Sequence, residues 1–185
     1  MHKPAKTERE TYRHGNLRRE SIELALALLE KGGSDAISLR KIAVDAGVTH
    51  RALYRHFADK SALLRAIAAQ GFAALAERTK DAPDRQKFVE AYVRFAIERA
   101  HLYGLMMSRT NAEISKDAEL GKAVSAVIGA SKQALAPDKA GEEADQSVMR
   151  IWMLLHGGIT LSQNSVLAPR SENELVAMLV KFADR

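Results

Sequence analysis

The stretch from Asp45 to Lys60 holds the residues whose types and spacing best suit contact with a polyanion. It reads DAGVTHRALYRHFADK and contains two histidines, two arginines and no acidic residue between Asp45 and Asp59. Hydroxyl, imidazole, guanidinium and phenol groups all donate hydrogen bonds to phosphates or base edges, and none of them repels a phosphate. A helix that only packs normally mixes its exposed charges. The stretch therefore indicates a surface that faces an anion.

Two helices are predicted before this surface. NLRRESIELALALLEK and SLRKIAVDAG each place apolar residues on one helical face. Asn16 is the predicted N-cap of the first helix, and Ser38 that of the second. Gly47 tolerates a positive φ and is the predicted end of the second helix.

A third short helix is predicted from its N-cap Thr49 to Phe57, with Leu53 and Phe57 directed into the core. The two short helices meet at Gly47, which gives a helix-turn-helix within a three-helix unit. The second helix of such a pair can enter the DNA major groove. The side chains left for its outer surface are Thr49, His50, Arg51, Tyr54 and Arg55. A helical hairpin that merely packs is the alternative interpretation.

A longer helix is predicted from its N-cap Asp59 to about Lys80. Lys60 lies in its first turn, where free backbone N–H groups suit a phosphate. Ser38 and Arg40 begin the preceding helix and suit a phosphate in the same way.

Composition and charge agree with a helical DNA-binding protein inside the cell. The chain has 185 residues, 46% of them apolar, with no cysteine, and Leu and Ala predominate over the β-branched runs that build sheets. Residues 1–65 hold 13 Lys and Arg against 8 Asp and Glu, whereas residues 66–185 hold 15 of each. No signal peptide and no apolar run of about 20 residues is found. We expect a cytoplasmic, nucleoid-associated protein with no membrane contact.

The segment GVTHRALYRHFADKSALL closely resembles the signature of the TetR family of transcriptional regulators. The matching positions are Gly47, Val48, Thr49, Leu53, Tyr54, His56, Phe57 and Lys60. The resemblance extends over residues 14–70. It implies phosphate contacts from Thr49, Tyr54, His56 and Lys60, and base contacts from His50 and Arg51. Arg9 and Arg13 would contact DNA from the N-terminal arm.

Residues 84–185 resemble, more weakly, the C-terminal domains of one TetR branch with a Trp-x-x-x-His-Gly core. That resemblance implies a cavity for a small, largely apolar effector and a homodimer formed by the last two helices, residues 142–166 and 172–184. The candidate effector residues are Phe95, Tyr103, Met106, Met107, Trp152 and His156. Taken singly, each of these bulky side chains is also compatible with an ordinary core position.

The last two helices also carry apolar residues with which a copy of the chain could pack. They are Ile151, Leu155, Ile159, Leu175, Leu179 and Phe182. A two-fold dimer would set two recognition helices about 34–36 Å apart and would require a palindromic operator.

The sequence thus predicts an all-α regulator with three parts. Residues 1–14 form a flexible arm, residues 15–70 a DNA-binding domain whose connecting helix continues to about residue 80, and residues 84–185 an effector-binding and dimerisation domain. The predicted function is repression that a small effector relieves. An effector-independent DNA binder, either an activator or a nucleoid-type protein, is the alternative.

No enzymatic function is predicted. HGG at His156 is similar to part of a hydrolase oxyanion loop, but no G-x-S-x-G motif accompanies it. His50 and His56 are six residues apart and do not form the i, i+4 pair of a zinc site. We therefore predict no catalytic residue, no metal and no cofactor.

Overall fold

The computed structural model describes the backbone of residues 8–184 and the side chains of residues 17–184. Over these residues the fold is all α-helical, as predicted, with one 3₁₀ turn at Ser34–Ala36 and no strand. The α-helices are α1 (Glu8–Gly32), α2 (Leu39–Asp45), α3 (His50–Tyr54), α4 (Lys60–Thr79), α5 (Arg85–Glu98), α6 (Ala100–Met107), α7 (Asn111–Lys116), α8 (Ala118–Leu135), α9 (Gly141–Gln163) and α10 (Glu172–Ala183).

The chain divides into two compact units, and the boundary between Ile67 and Ala68 falls within α4. Helices α1 to α3 pack together in the first unit. In the second unit α5 is central, since it contacts α6, α8, α9 and α10. No helix among the described residues is both long and apolar enough to cross a membrane.

The start of α1 differs from the expectation. The helix begins at Glu8, so residues 8–14 are helical rather than part of an arm, and Asn16 lies inside the helix instead of capping it. The segment ERETYRH contains no proline or glycine, and Glu and Arg are good helix formers. Residues 1–7 and the side chains of Arg9 and Arg13 lie outside the described part of the chain.

The turn between α2 and α3 forms as its residues predict. Gly47 has a φ of 65°, and the N–H of Val48 donates to the carbonyl of Ala43 at 2.9 Å. The Thr49 hydroxyl caps α3 by accepting from the N–H of Ala52 at 3.3 Å. Ser38 stands at the N-cap of α2 but makes no side-chain capping bond.

The predicted end of α3 was also wrong. Helix α3 ends at Tyr54 rather than at Phe57. Helices α7 and α8 are separated at Asp117, which ends α7 with an extended backbone and caps α8 by accepting from the N–H of Leu120 at 3.1 Å. An Asp competes with the helix for backbone donors, so it favours such a boundary.

Candidate nucleic-acid interface and candidate effector region

Helix α3 separates a buried side from an exposed one. Leu53 and the nearby Phe57 are buried in the core of the first unit, with 0% and 2% of their surface exposed. We call the opposite surface the α3 outer face. It consists of five exposed side chains, as the sequence predicted: Thr49, His50, Arg51, Tyr54 and Arg55.

The basic side chains of the first unit differ in whether they form ion pairs within the fold. Lys41 pairs with Asp45 at 3.2 Å. In contrast, Arg40, Arg51 and Arg55 are exposed and make no ion pair or hydrogen bond within the described residues. Guanidinium groups that the fold does not engage are available to carboxylates or phosphates outside it.

The sequence predicts that Arg55 is exposed, but the family signature does not identify it as a DNA contact. The signal for it was present, because it lies four residues after Arg51 and therefore on the same side of the chain.

His50 and Tyr54 are in direct contact on the α3 outer face. Their ring centroids are 4.6 Å apart and the rings are nearly perpendicular, at 89°. Residues four apart on a helix are neighbours, and an edge-to-face arrangement is a favourable geometry for two aromatic rings. The pair forms although Tyr54 remains 44% exposed.

The remaining predicted DNA-contact residues lie around the start of α2 and α4. The Asp59 carboxylate caps α4, where Oδ1 accepts from the N–H of Ala62 at 2.7 Å, and Lys60 is the first residue of that helix. Lys60 is half-buried and has no ion pair or hydrogen bond in the described part of the chain. Ser38 is exposed. His56 is half-buried and already takes part in an interaction within the fold.

The candidate effector residues of the second unit differ in their exposure. Phe95, Tyr103 and Met106 are at most 3% exposed. Met107 and Trp152 are half-buried, and His156 is exposed. The indole Nε1 of Trp152 donates to the Ser131 hydroxyl at 3.2 Å, which links α9 to α8.

Three of the aromatic side chains in this unit form a chain of hydrogen bonds, which we call the aromatic chain: Tyr92, Tyr103 and His156. The hydroxyls of Tyr92 and Tyr103 are 3.3 Å apart, and the Tyr103 hydroxyl is 3.1 Å from Nδ1 of His156. Burial raises the pKa of Tyr92 to about 12 and also raises the pKa of Tyr103. Both hydroxyls therefore remain protonated at neutral pH and bond to each other and to the imidazole.

The surface cavities of the second unit include the two described next, and none of the six candidate effector residues lines either. A groove of about 570 Å³ lies between α4 and α8, and we call it the α4–α8 groove. Most of the residues that line it are small, namely Ala69, Ala73, Ala76, Ala123, Ala126, Gly129 and Ala130. A cavity of about 380 Å³ lies between the end of α9 and the start of α10, beside Ile97 and Pro169.

The predicted dimer surface needs correction. Ile151, Leu155, Ile159, Leu175 and Leu179 are buried within the single chain. They face inward because α9 and α10 pack on α5 and on each other. Of the six predicted residues, only Phe182 is exposed, at 45%. The large apolar side chains that α9 does expose are Met149, Met153 and Leu161.

The fold is thus a helix-turn-helix unit followed by an all-helical second unit, which defines a class of bacterial transcriptional regulator. The profile described as "Bacterial regulatory proteins, tetR family" matches residues 22–67. The profile described as "Tetracyclin repressor-like, C-terminal domain" matches residues 86–182. The chain belongs to the TetR family. Its members are transcriptional regulators that bind DNA, dimerise and bind small molecules.

Individual relatives agree with this assignment. The HTH-type transcriptional repressor KstR of Rhodococcus jostii is 31% identical over 97 residues, which are 50% of this chain and 46% of KstR, so the match spans about half of that relative. A protein of unknown function from Rhodococcus sp. RHA1 is 28% identical, with a TM-score of 0.74, over 93% of this chain and 95% of the other.

A more distant structure shares the fold. FadR from Bacillus subtilis, solved in complex with stearoyl-CoA, has a TM-score of 0.62 at 16% identity, over 88% of this chain and 97% of the other.

Proposed function

We propose that this protein is a transcriptional repressor that binds a palindromic operator as a homodimer and is released by a small, largely apolar effector. The observation that carries DNA binding is the α3 outer face, where Arg51 and Arg55 are exposed and have no partner within the described residues. The partial similarity to the repressor KstR favours repression over activation. An effector-independent regulator is the alternative.

The proposed DNA contacts fall into two groups. Arg51 and His50 lie at the start of α3, so they take the base-reading positions, and an arginine there pairs with guanine O6 and N7. The proposed phosphate contacts are Ser38, Arg40, Thr49, Tyr54, His56 and Lys60. His56 takes this role only as a weaker contact, since it already has an interaction within the fold.

The experiment that tests DNA recognition is selection of bound fragments from random duplex DNA at near-physiological salt. We expect an enriched palindrome. Arg51→Ala should then lose about 1–3 kcal/mol of discrimination at one operator position, whereas Lys60→Ala should weaken all sequences and lower the salt slope by about one. Salt-sensitive binding without any enriched sequence would contradict the proposal.

We place the homodimer on the last two helices, now through the exposed Met149, Met153, Leu161 and Phe182 rather than through the buried residues. Adjacent exposed apolar side chains mark protein contacts, and Met149 and Met153 lie four residues apart on one face of α9. Such a dimer would be two-fold symmetric, which is why the operator is palindromic. We expect it to act in the cytoplasm, on the nucleoid.

For the effector, we propose the α4–α8 groove, which is the larger of the two cavities described above. Its volume of about 570 Å³ lies within the usual range of small-molecule sites. From Ala69 to Glu77 it follows α4 for about 12 Å, at about 1.5 Å per residue. Alanines line its length, while Glu77, Lys80, Glu119 and Lys122 supply two charges of each sign. This lining favours an elongated, apolar ligand without net charge.

Filling the groove tests the effector site. Decanol should raise the melting temperature of the wild type, and decanoate and decylamine should raise it less. Ala73→Phe should remove the shift because its ring occupies the groove. Ala74→Phe is the matched control, since Ala74 is exposed on the same helix but does not line the groove. Equal shifts in both variants would place the ligand elsewhere.

A further inference from the structure

The contact between His50 and Tyr54 bears on how α3 meets DNA. We infer that His50 is a positioning residue that holds the Tyr54 phenol for a phosphate contact, rather than a residue that reads a base. The inference rests on the proposed DNA binding and changes the role that the sequence position alone gives to His50.

The geometry of the pair is the first part of the argument. With centroids 4.6 Å apart and planes at 89°, one ring presents its edge to the face of the other. His50 is the first residue of α3 and Tyr54 the last, so the contact runs along the whole helix. An imidazole in this contact lies along α3 toward Tyr54. Arg51, the other residue at a base-reading position, has no such contact and is free to extend outward.

The second part concerns what an exposed phenol needs before it can bind a phosphate well. Tyr54 is 44% exposed, and the described residues give its hydroxyl no hydrogen-bond partner. A side chain that is free to change rotamer loses that freedom on binding, which weakens the complex. A neighbouring ring that already restricts the phenol removes part of this loss. His50 therefore acts on affinity for every DNA sequence, because phosphates carry no sequence information.

Four single variants separate the two roles of His50, with dissociation constants measured by fluorescence anisotropy on an operator duplex and on an unrelated duplex. His50→Phe keeps the ring contact and removes hydrogen bonding. His50→Gln keeps hydrogen bonding and removes the ring. His50→Ala removes both, and Tyr54→Ala removes the phenol. The full chain is used, and the melting temperature of each variant is recorded.

We expect His50→Phe to stay within about twofold of the wild type on both duplexes. His50→Gln and His50→Ala should each bind both duplexes about threefold to tenfold more weakly, which is the range of the ordering cost of one side chain converted to affinity. In a Tyr54→Ala background, His50→Ala should cause no further loss. Melting temperatures should not change, since both side chains are exposed.

Three results would overturn the inference. They are a loss in His50→Phe as large as in His50→Ala, a changed base preference at one operator position in His50→Ala, and additive losses in the double variant. Failure of the proposed function itself is recognised separately, because then the wild type selects no sequence and the variants have nothing to lose. Lys31→Ala is the control variant, since Lys31 is exposed at the end of α1, away from α3 in sequence.

Discussion

The α3 outer face and the aromatic chain contain the same kinds of polar group, a tyrosine hydroxyl and an imidazole, but the fold treats them differently. In the first unit the hydroxyl of Tyr54 has no hydrogen-bond partner within the described residues. In the second unit the hydroxyl of Tyr103 lies between Tyr92 and His156 and bonds with both. The comparison shows that the fold satisfies a hydroxyl in the interior with partners of its own, whereas it leaves the Tyr54 hydroxyl accessible to groups outside the described residues.

The largest expected effect comes from breaking the aromatic chain. Tyr103→Phe removes the middle hydroxyl and leaves the buried Tyr92 hydroxyl without its partner, so the free energy of unfolding should fall by about 1–3 kcal/mol. Tyr54→Phe, the matched change on the α3 outer face, should alter it by less than about 0.5 kcal/mol. Urea unfolding of the two variants measures both values. A Tyr103→Phe variant as stable as the wild type would remove the distinction between the regions.

Alanine substitutions at Gly157 and Gly158 test whether the segment after His156 is needed for close packing of α9 against α10. A Cβ added at Gly158 would lie 2.4 Å from Cδ2 of Leu179, which is buried between α9 and α10, whereas a Cβ at Gly157 would meet no atom within 4 Å. Gly158→Ala should therefore destabilise the fold by about 1–3 kcal/mol. Gly157→Ala should be neutral or up to about 1 kcal/mol more stable, since alanine favours helix. Thermal unfolding of both variants checks the difference.

The smallest expected effect concerns an exposed ion pair of the second unit. Nη2 of Arg78 is 2.8 Å from Oε1 of Glu98, and this hydrogen bond lowers the pKa of Glu98 below its ordinary value of 4.5. A carboxylate with a lowered folded-state pKa stabilises the fold at a pH above its unfolded pKa. That contribution disappears as the pH falls through the folded pKa. Because both side chains are partly solvated, it should stay below about 1 kcal/mol.

Glu98→Gln measures this contribution. The variant should be slightly less stable than the wild type at pH 7 and equally stable at a pH below the folded-state pKa of Glu98, where Glu98 itself is protonated. Asp138→Asn is the control, because Asp138 is an exposed acid that makes no ion pair among the described residues. A difference between wild type and Glu98→Gln that persists at low pH would show that the ion pair is not its cause.

Much of the first unit was predictable because its signals are local. Thr49 and Asp59 cap the helices that follow them, and Gly47 takes the positive φ that ends a helix. Each of these signals depends on residues a few positions away. The start of α1 was missed because nothing in the sequence distinguishes a charged arm from a charged helical turn.

The second unit was less predictable because its organisation depends on contacts between distant residues. Aromatic and Met side chains suggested a pocket, but Phe95 and Met106 are packed in the core. The α4–α8 groove lies beside alanines such as Ala73 and Ala126, whose small size leaves room and gives no pattern of its own. Likewise, periodicity identified the apolar side of α9 but not whether Leu155 faces the chain itself or a partner.

The hydrogen bond from Trp152 to Ser131 has a consequence for spectroscopy. Trp152 is the only tryptophan of the chain, and it lies in the second unit. Intrinsic tryptophan fluorescence therefore reports the region where α8 meets α9 and has no emitter in the helix-turn-helix unit. If the two units melt at different temperatures, tryptophan fluorescence will report the unfolding of the second unit and will not detect the unfolding of the DNA-binding unit. Circular dichroism, to which the helices of both units contribute, would reveal the difference as a second transition.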